Sequence, residues 1–434
     1  MELYSTNKKE CRVSIKEAIF HSLPADKGLY MPVEIPQLKG YFIDNLEKYS
    51  FQEIAFEVSN ELIGNDIPAW DLKKIVVDAI NFDAPLVALD QKTAVLELFH
   101  GPSFAFKDFG ARFMSRIMAY FSNKDDRLLD VLVATSGDTG GAVALGFLGV
   151  PGTRVTILYP KGKVSTIQEL QLTTNGKNIR ALEIDGTFDD CQKLVKEAFN
   201  DITLNQKLRL TSANSINIAR LIPQTFYYFQ AVAQAKRDGA KEVVFSVPSG
   251  NFGNIGAGLL ANKMGLPVLR FLAATNINDT VPRFLNSGVY EPRPSVQTLS
   301  NAMDVGNPSN WIRIMNLFNN KTEYVKQKVS AYRYTDAETI EAIKTLYEQY
   351  NYIACPHTAI AWRATHEYLR TNSGKYQTIF LSTAHPCKFP EVFPANIRSK
   401  IQVPAQVIEL HKIKKVATKL TNNFQQLKEY LTET

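Results

Sequence analysis

EVVFSVPSGNFGNIGAGLLANKMG, residues 242–265, begins as an apolar run, turns through closely spaced glycines and continues at helical period. The apolar residues of 242–247 do not alternate with polar ones, so this strand is expected to be covered on both faces, as in a parallel sheet. Gly250, Gly253, Gly256 and Gly258 leave little bulk around the backbone N–H groups where the helix starts. A helix N-terminus opened in this way receives phosphate; the alternative is glycine retained for close helix packing. Gly256, Gly258 and Ala261 also fit a dinucleotide fingerprint, but that match starts inside the expected helix, and no acid follows at the required distance until Asp279.

The same strand-then-helix pattern recurs from about residue 94 onward. AVLELF (94–99), DVLVAT (130–135), RVTILY (154–159), IRALEI (179–184), VLRFLAAT (268–275) and TIFLST (378–383) read as strands. Helical segments are expected at 108–122, 140–148, 165–174, 188–199, 216–236 and 254–264. The expected fold class is therefore α/β, with parallel sheets joined by crossover helices. Residues 1–90 differ, with proline breaks, few strands and helices near 51–63 and 70–81, and are expected to form a separate N-terminal unit. Residues 277–310 read as a long irregular excursion over the site.

With 434 residues, 45% hydrophobic and 21% charged, the chain has the composition of a globular protein large enough for two or three compact units. Its 49 basic residues are interspersed with 43 acidic ones without a long basic block, which argues against nucleic acid as a partner. The opening MELYSTNKKECRVS has no apolar leader core, and no stretch has the roughly 18 consecutive apolar residues of a membrane span. A cytoplasmic, membrane-free protein is expected. Cys11, Cys191, Cys355 and Cys387 are widely separated, and the histidines lack ligand spacing, so neither disulfides nor a metal site is expected.

Open parallel sheets bind ligands beyond the carboxyl ends of their strands. Four such ends carry unusual chemistry. In HGPSFAFKDFG, Lys107 lies among Phe104, Phe106 and Phe109, where desolvation favours a Schiff-base nucleophile; a snorkelling surface lysine is the alternative. ATSGDTGG sets Thr135, Ser136, Asp138 and Thr139 at a turn suited to an α-carboxylate, or simply to a helix cap. PSGNFGN is the phosphate-type turn, and Thr383 of TAHP offers a hydroxyl.

Together HGPSFAFKDFGARFM, ATSGDTGGAVA, TSANSINIARL, VPSGNFGN, AATNINDTVPRFL, TLSNAMDVGNPSNW and STAHPCKF resemble the threonine synthase family, in its subclass with a long N-terminal extension. MELYST and KGLYMP extend the likeness over nearly the whole chain. The resemblance implies a fold-type II (tryptophan synthase β-like) enzyme of two α/β lobes dependent on pyridoxal 5'-phosphate. It implies an extension over 1–90, a catalytic region over 91–434 and a small lobe at roughly 110–215. The implied reaction turns O-phospho-L-homoserine and water into L-threonine and phosphate.

By the same resemblance Lys107 carries the cofactor and moves the substrate's protons, while Gly250, Asn251, Phe252, Gly253 and Asn254 hold the cofactor phosphate. Thr383 faces the pyridine nitrogen. Asp138 takes the place from which an asparagine contacts the phenolic oxygen in shorter relatives. Ser136 and Thr139 are candidates for the α-carboxylate. Ser103, Arg112, Asn214 and Arg220 are candidates for the leaving phosphate, because a dianion needs charge-assisted donors; each arginine is alternatively a surface charge. Lys161 and Lys163 rank lower. The subclass implies a monomer. Two other functions are open: a serine or threonine dehydratase sharing the cofactor machinery, and a catalytically idle ligand-binding protein in which Lys107 is structural.

Overall fold

The computed structural model describes residues 1–122 and 127–433. A six-stranded sheet runs Val329–Arg333, Val268–Thr275, Val243–Pro248, Gln377–Ser382, Thr93–Glu97, Leu86–Ala88. All its neighbours are parallel except the last pair. A five-stranded, wholly parallel sheet runs Thr418–Thr421, Ile179–Asp185, Thr153–Pro160, Leu129–Ala134, Arg209–Ser212. Every residue of Leu129–Ala134 and of Val243–Pro248 is buried, as expected for strands covered on both faces.

Helix starts are set locally. Ser14 with Glu17, Ser50 with Glu53, Ser165 with Gln168, Thr187 with Asp190 and Thr335 with Glu338 each close a reciprocal capping box. The segment expected as one helix over 216–236 is broken into Ile218–Leu221, a tight 3-10 turn Ile222–Thr225 and Phe226–Arg237. Pro223 supplies no N–H to the helical ladder, which accounts for the tightened turn there.

One expectation about organisation needs correction and another is extended. The first ninety residues pack closely on the remainder: Leu3, Ile54, Val58 and Leu72 share one continuous apolar core with Phe109, Phe226 and Ile255. They also hold a three-stranded antiparallel sheet, Arg12–Ser14, Glu2–Ser5, Tyr30–Pro32, whose strands are too short for alternation to reveal them. The small lobe does not end near 215. Thr418–Thr421 pairs with Ile179–Asp185, and Leu427 and Leu431 of the following helix pack with Leu194 and Ala198, so the chain's last segment completes the small lobe. Among the described residues no helix is long and apolar enough to cross a membrane.

Candidate active site

Beyond the carboxyl ends of both parallel sheets lies one cavity of about 1460 Å³, lined by Lys107, Ser136, Asp138, Thr139, Asn214, Arg220, Gly250–Asn254 and Thr383. The turn that delivers Lys107 is tightly held. Phe104 adopts a left-handed φ of 58°, Phe106 N donates to Thr383 O at 2.9 Å and His385 N donates to Phe104 O at 3.0 Å. Asp108 Oδ2 accepts from Ser103 N at 2.8 Å, fixing the first turn of the helix Lys107–Ser122. Lys107 is half-buried, its Nζ 5.7 Å from the centre of the Phe106 ring. Burial pushes its ammonium down to about 8; Asp138 acts against this, and Arg220 and Lys388 act with it.

Asp138 opens the helix Asp138–Phe147 and is 4% exposed. Its Oδ1 accepts from Lys388 Nζ at 2.7 Å and from Gln168 Nε2 at 2.9 Å. Burial raises the carboxyl, but the charges of Lys388 and Lys107 and the two hydrogen bonds outweigh it, holding the group well below the usual carboxylate range. Gln168 is oriented for this by its own capping box, since its Oε1 accepts from Ser165 N at 3.0 Å. Lys388 is 0% exposed and also donates to Ser103 O at 3.0 Å. Neither Lys388 nor Gln168 was singled out from the sequence. Both lie in ordinary-looking capping and turn segments, and only the fold brings them to Asp138.

At the glycine-rich turn, Phe252 is left-handed (φ 60°) and no side chain caps the helix Gly253–Lys263. A Cβ on Gly253 would make only ordinary van der Waals contact, Asn310 Nδ2 being nearest at 3.4 Å, so packing alone does not demand glycine there, and the turn lines the cavity. At Gly250, by contrast, a Cβ would lie 2.6 Å from Met303 Cα, so this glycine admits the overlying 298–310 segment. Asn251 Nδ2 donates to Ser215 Oγ at 2.5 Å and its Oδ1 accepts from Ser309 N at 2.6 Å. Asn254 is turned inward, donating to Pro248 O at 2.8 Å. An uncapped helix start in an open, hydroxyl- and amide-rich recess fits a phosphate, and with Lys107 in the same cavity the donor set fits pyridoxal 5'-phosphate.

The structure separates the candidates for the leaving phosphate. Arg220 is 3% exposed, lines the cavity and uses Nη1 on Ala213 O at 2.5 Å, while its buried Nε has no partner. Burial pushes its guanidinium down to about 10 against the pull of Asp108. Asn214 lines the cavity and is held by Ala134 O at 2.8 Å. Arg112 is not in the cavity wall: it donates to Ala79 O, Asp78 O and Asn81 Oδ1, closing the end of the helix Ala69–Ala79. Its expected role is corrected accordingly, because those carbonyl groups take its donors. Ser103 is likewise sealed behind the wall, with its hydroxyl buried and its carbonyl accepting from Gln171 and Lys388.

Two further elements of the wall escaped the sequence. His357 is buried, accepts from Ala302 N at 3.2 Å and is pushed down to about 4 by burial, so a neutral imidazole faces the site. Residues 21–25, with Lys27, Leu29 and Tyr30, also line the cavity. Ser22 anchors them to the 211–217 segment through Thr211, Ser212 and Asn217. The N-terminal extension is thus part of the site.

Three family patterns cover the chain: pyridoxal-phosphate dependent enzyme over 81–383, threonine synthase N terminus over 2–80 and threonine synthase C-terminal over 358–431. The threonine synthase of Serratia marcescens is 44% identical over 99% of both chains. The chain belongs to the threonine synthase family. Threonine synthase from Saccharomyces cerevisiae, 37% identical over 87% of this chain and 85% of its own, is a more distant relative. The solved Escherichia coli threonine synthase superposes with a TM-score of 0.91 at 40% identity over the full length of both chains. The PLP-bound threonine synthase from Brucella melitensis superposes at 0.93 and 36%, covering 100% of this chain and 99% of its own. This threonine synthase family member is accordingly a pyridoxal-phosphate dependent lyase of fold-type II. More distant solved enzymes, such as a threonine deaminase at 15% identity and a TM-score of 0.55, share the fold alone.

Proposed function

We propose that the threonine synthase reaction of this chain, O-phospho-L-homoserine plus water giving L-threonine plus phosphate, is carried by Lys107, assisted by the Asp138–Lys388 pair and Arg220. The observation that carries this reading is the convergence of a lysine held down to about 8, an open uncapped helix start and Thr383 on one cavity. When bound, pyridoxal 5'-phosphate supplies an electron-accepting ring that lets a proton leave the substrate Cα. Gly250–Asn254 hold the cofactor phosphate through backbone donors, Asn254 with its side chain turned away. Thr383 would offer the ring nitrogen a neutral hydroxyl. Asp138, its carboxylate charge balanced by Lys388, would face the phenolic oxygen without the repulsion of two uncompensated anions.

Lys107 Nζ would take the Cα proton, which the electron-accepting cofactor would hold, and with its lone pair free again would take one Cβ proton. The Cγ–O bond breaks as phosphate departs toward Arg220 and Asn214, and Lys107 gives the Cβ proton to Cγ. Water then gives its hydroxyl to Cβ and its remaining proton to the phosphate, and Lys107 returns a proton to Cα. Ser136 and Thr139 hold the α-carboxylate. The segment 21–30 and the 298–310 segment exclude bulk water while this proceeds.

The long N-terminal extension of the subclass that the chain resembles supports a monomer; sedimentation of the holoenzyme at two concentrations tests this. Four free thiols, three of them buried, support a reducing, cytoplasmic setting. The decisive assay follows phosphate and threonine together from O-phospho-L-homoserine. Arg220→Leu is expected to reduce kcat/KM ~10- to 1000-fold and to weaken inhibition by inorganic phosphate, with cofactor absorbance intact. Arg112→Leu should leave both within ~3-fold. Parental kinetics in Arg220→Leu would remove Arg220 from the phosphate site.

A further inference from the structure

Arg313 lies on the helix Trp311–Leu317 and is 1% exposed, the largest side chain so thoroughly enclosed. Its Nη1 donates to Asn310 Oδ1 at 2.7 Å and Ser215 O at 3.2 Å, its Nη2 to Ile216 O at 2.6 Å and its Nε to Tyr30 O at 3.3 Å. All four acceptors are neutral. Among the described residues no carboxylate pairs with it, and burial alone lowers its guanidinium, to about 9. A buried cation without a countercharge is costly, and neutral carbonyls return only part of that cost.

Its acceptors sit directly over the phosphate-type turn. A Cβ on Gly253 would lie 3.4 Å from Asn310 Nδ2 and 3.9 Å from Ser215 Cβ. Asn310 Nδ2 also donates to Asn251 O at 3.1 Å, and Asn251 Nδ2 donates to Ser215 Oγ at 2.5 Å. Arg313 therefore fixes Asn310 and the 215–216 backbone, and through them Asn251, at one edge of the cradle. At low local dielectric a cation one residue behind a phosphate dianion attracts it strongly even without contact.

We propose that Arg313 is a positioning residue whose uncompensated charge and four-way anchoring preset the cradle for the cofactor's phosphate dianion. This rests on the reading that Gly250–Asn254 hold that phosphate. Titrating the cofactor-free chain separately with pyridoxal 5'-phosphate and with pyridoxal, which lacks only the phosphate, tests it, with binding read from visible absorbance. Arg313→Met should weaken the phosphate form ~10- to 100-fold more than it weakens pyridoxal, and Arg313→Lys should regain part of that selectivity. Equal losses for both compounds in Arg313→Met, or in Arg313→Gln should the methionine variant fail to fold, would make the residue a fold-stabiliser only. Gly253→Val separates the two layers. If it erases phosphate selectivity while both Arg313 variants keep it, the cradle stands and the inference falls. If it leaves selectivity intact, the cradle reading falls first.

Discussion

Lys107 and Lys388 approach the same carboxylate from opposite sides of the cavity wall. Lys388, fully buried behind the wall, pairs with Asp138 at 2.7 Å and donates to Ser103 O. Lys107 lines the cavity with no ion pair among the described residues, and burial lowers its ammonium to about 8. The difference teaches that the lysine which remains a structural cation is the one given a geometric partner. The lysine left without one is turned toward chemistry, because its neutral amine is the form that attacks and accepts protons. Asp138 serves both, pairing with one and attracting the other at a distance.

The largest effect expected from this contrast is on Lys107. Lys107→Ala should lower kcat by more than ~10⁴-fold without lowering the thermal unfolding temperature of the cofactor-free chain, since the removed amine held no ion pair. Turnover near the parental rate in this variant would break the contrast outright. Next comes Lys388→Met, which strands a buried carboxylate and should cost about 3–5 kcal/mol in denaturant unfolding. The double variant Lys388→Met with Asp138→Asn should recover most of that stability and little of the activity. Recovery of neither would mean that Lys388 acts through Ser103 rather than through the pair.

The smallest effect concerns pH. The folded chain holds Lys107 near 8 against an ordinary value of 10.5, so between those values the unfolded chain binds the extra proton and stability rises with pH. The penalty is fully present below pH 8 and gone above about 10.5, amounting to at most about 3 kcal/mol. Parent and Lys107→Met, both without cofactor, should therefore converge in unfolding free energy as pH rises from 8 to 10. A constant gap would mean that Lys107 keeps its ordinary ionisation.

Much of this was legible in the sequence wherever one residue's role is set by its own strand or turn. VLRFLAAT is the strand Val268–Thr275, and Lys107, Gly253 and Thr383 each follow a strand end that the apolar runs mark plainly. Arg112 and Arg220 show where this stops. Both follow motifs beside the site, but their helices turn one guanidinium onto the Ala69–Ala79 helix and the other into the cavity. Lys388 was hidden because its partner lies 250 residues earlier in the chain, and Arg313 because three of its four acceptors are backbone carbonyls that no side-chain pattern announces. The integration of residues 1–90 was hidden for a related reason: a shared core is a property of packing, not of periodicity.

The most direct test of the central claim is borohydride reduction of the holoenzyme followed by peptide mapping of the fixed cofactor. The account predicts a single adduct on Lys107, within SFAFKDFGAR, with Lys388 unmodified. An adduct on Lys388 or on any other lysine would contradict it.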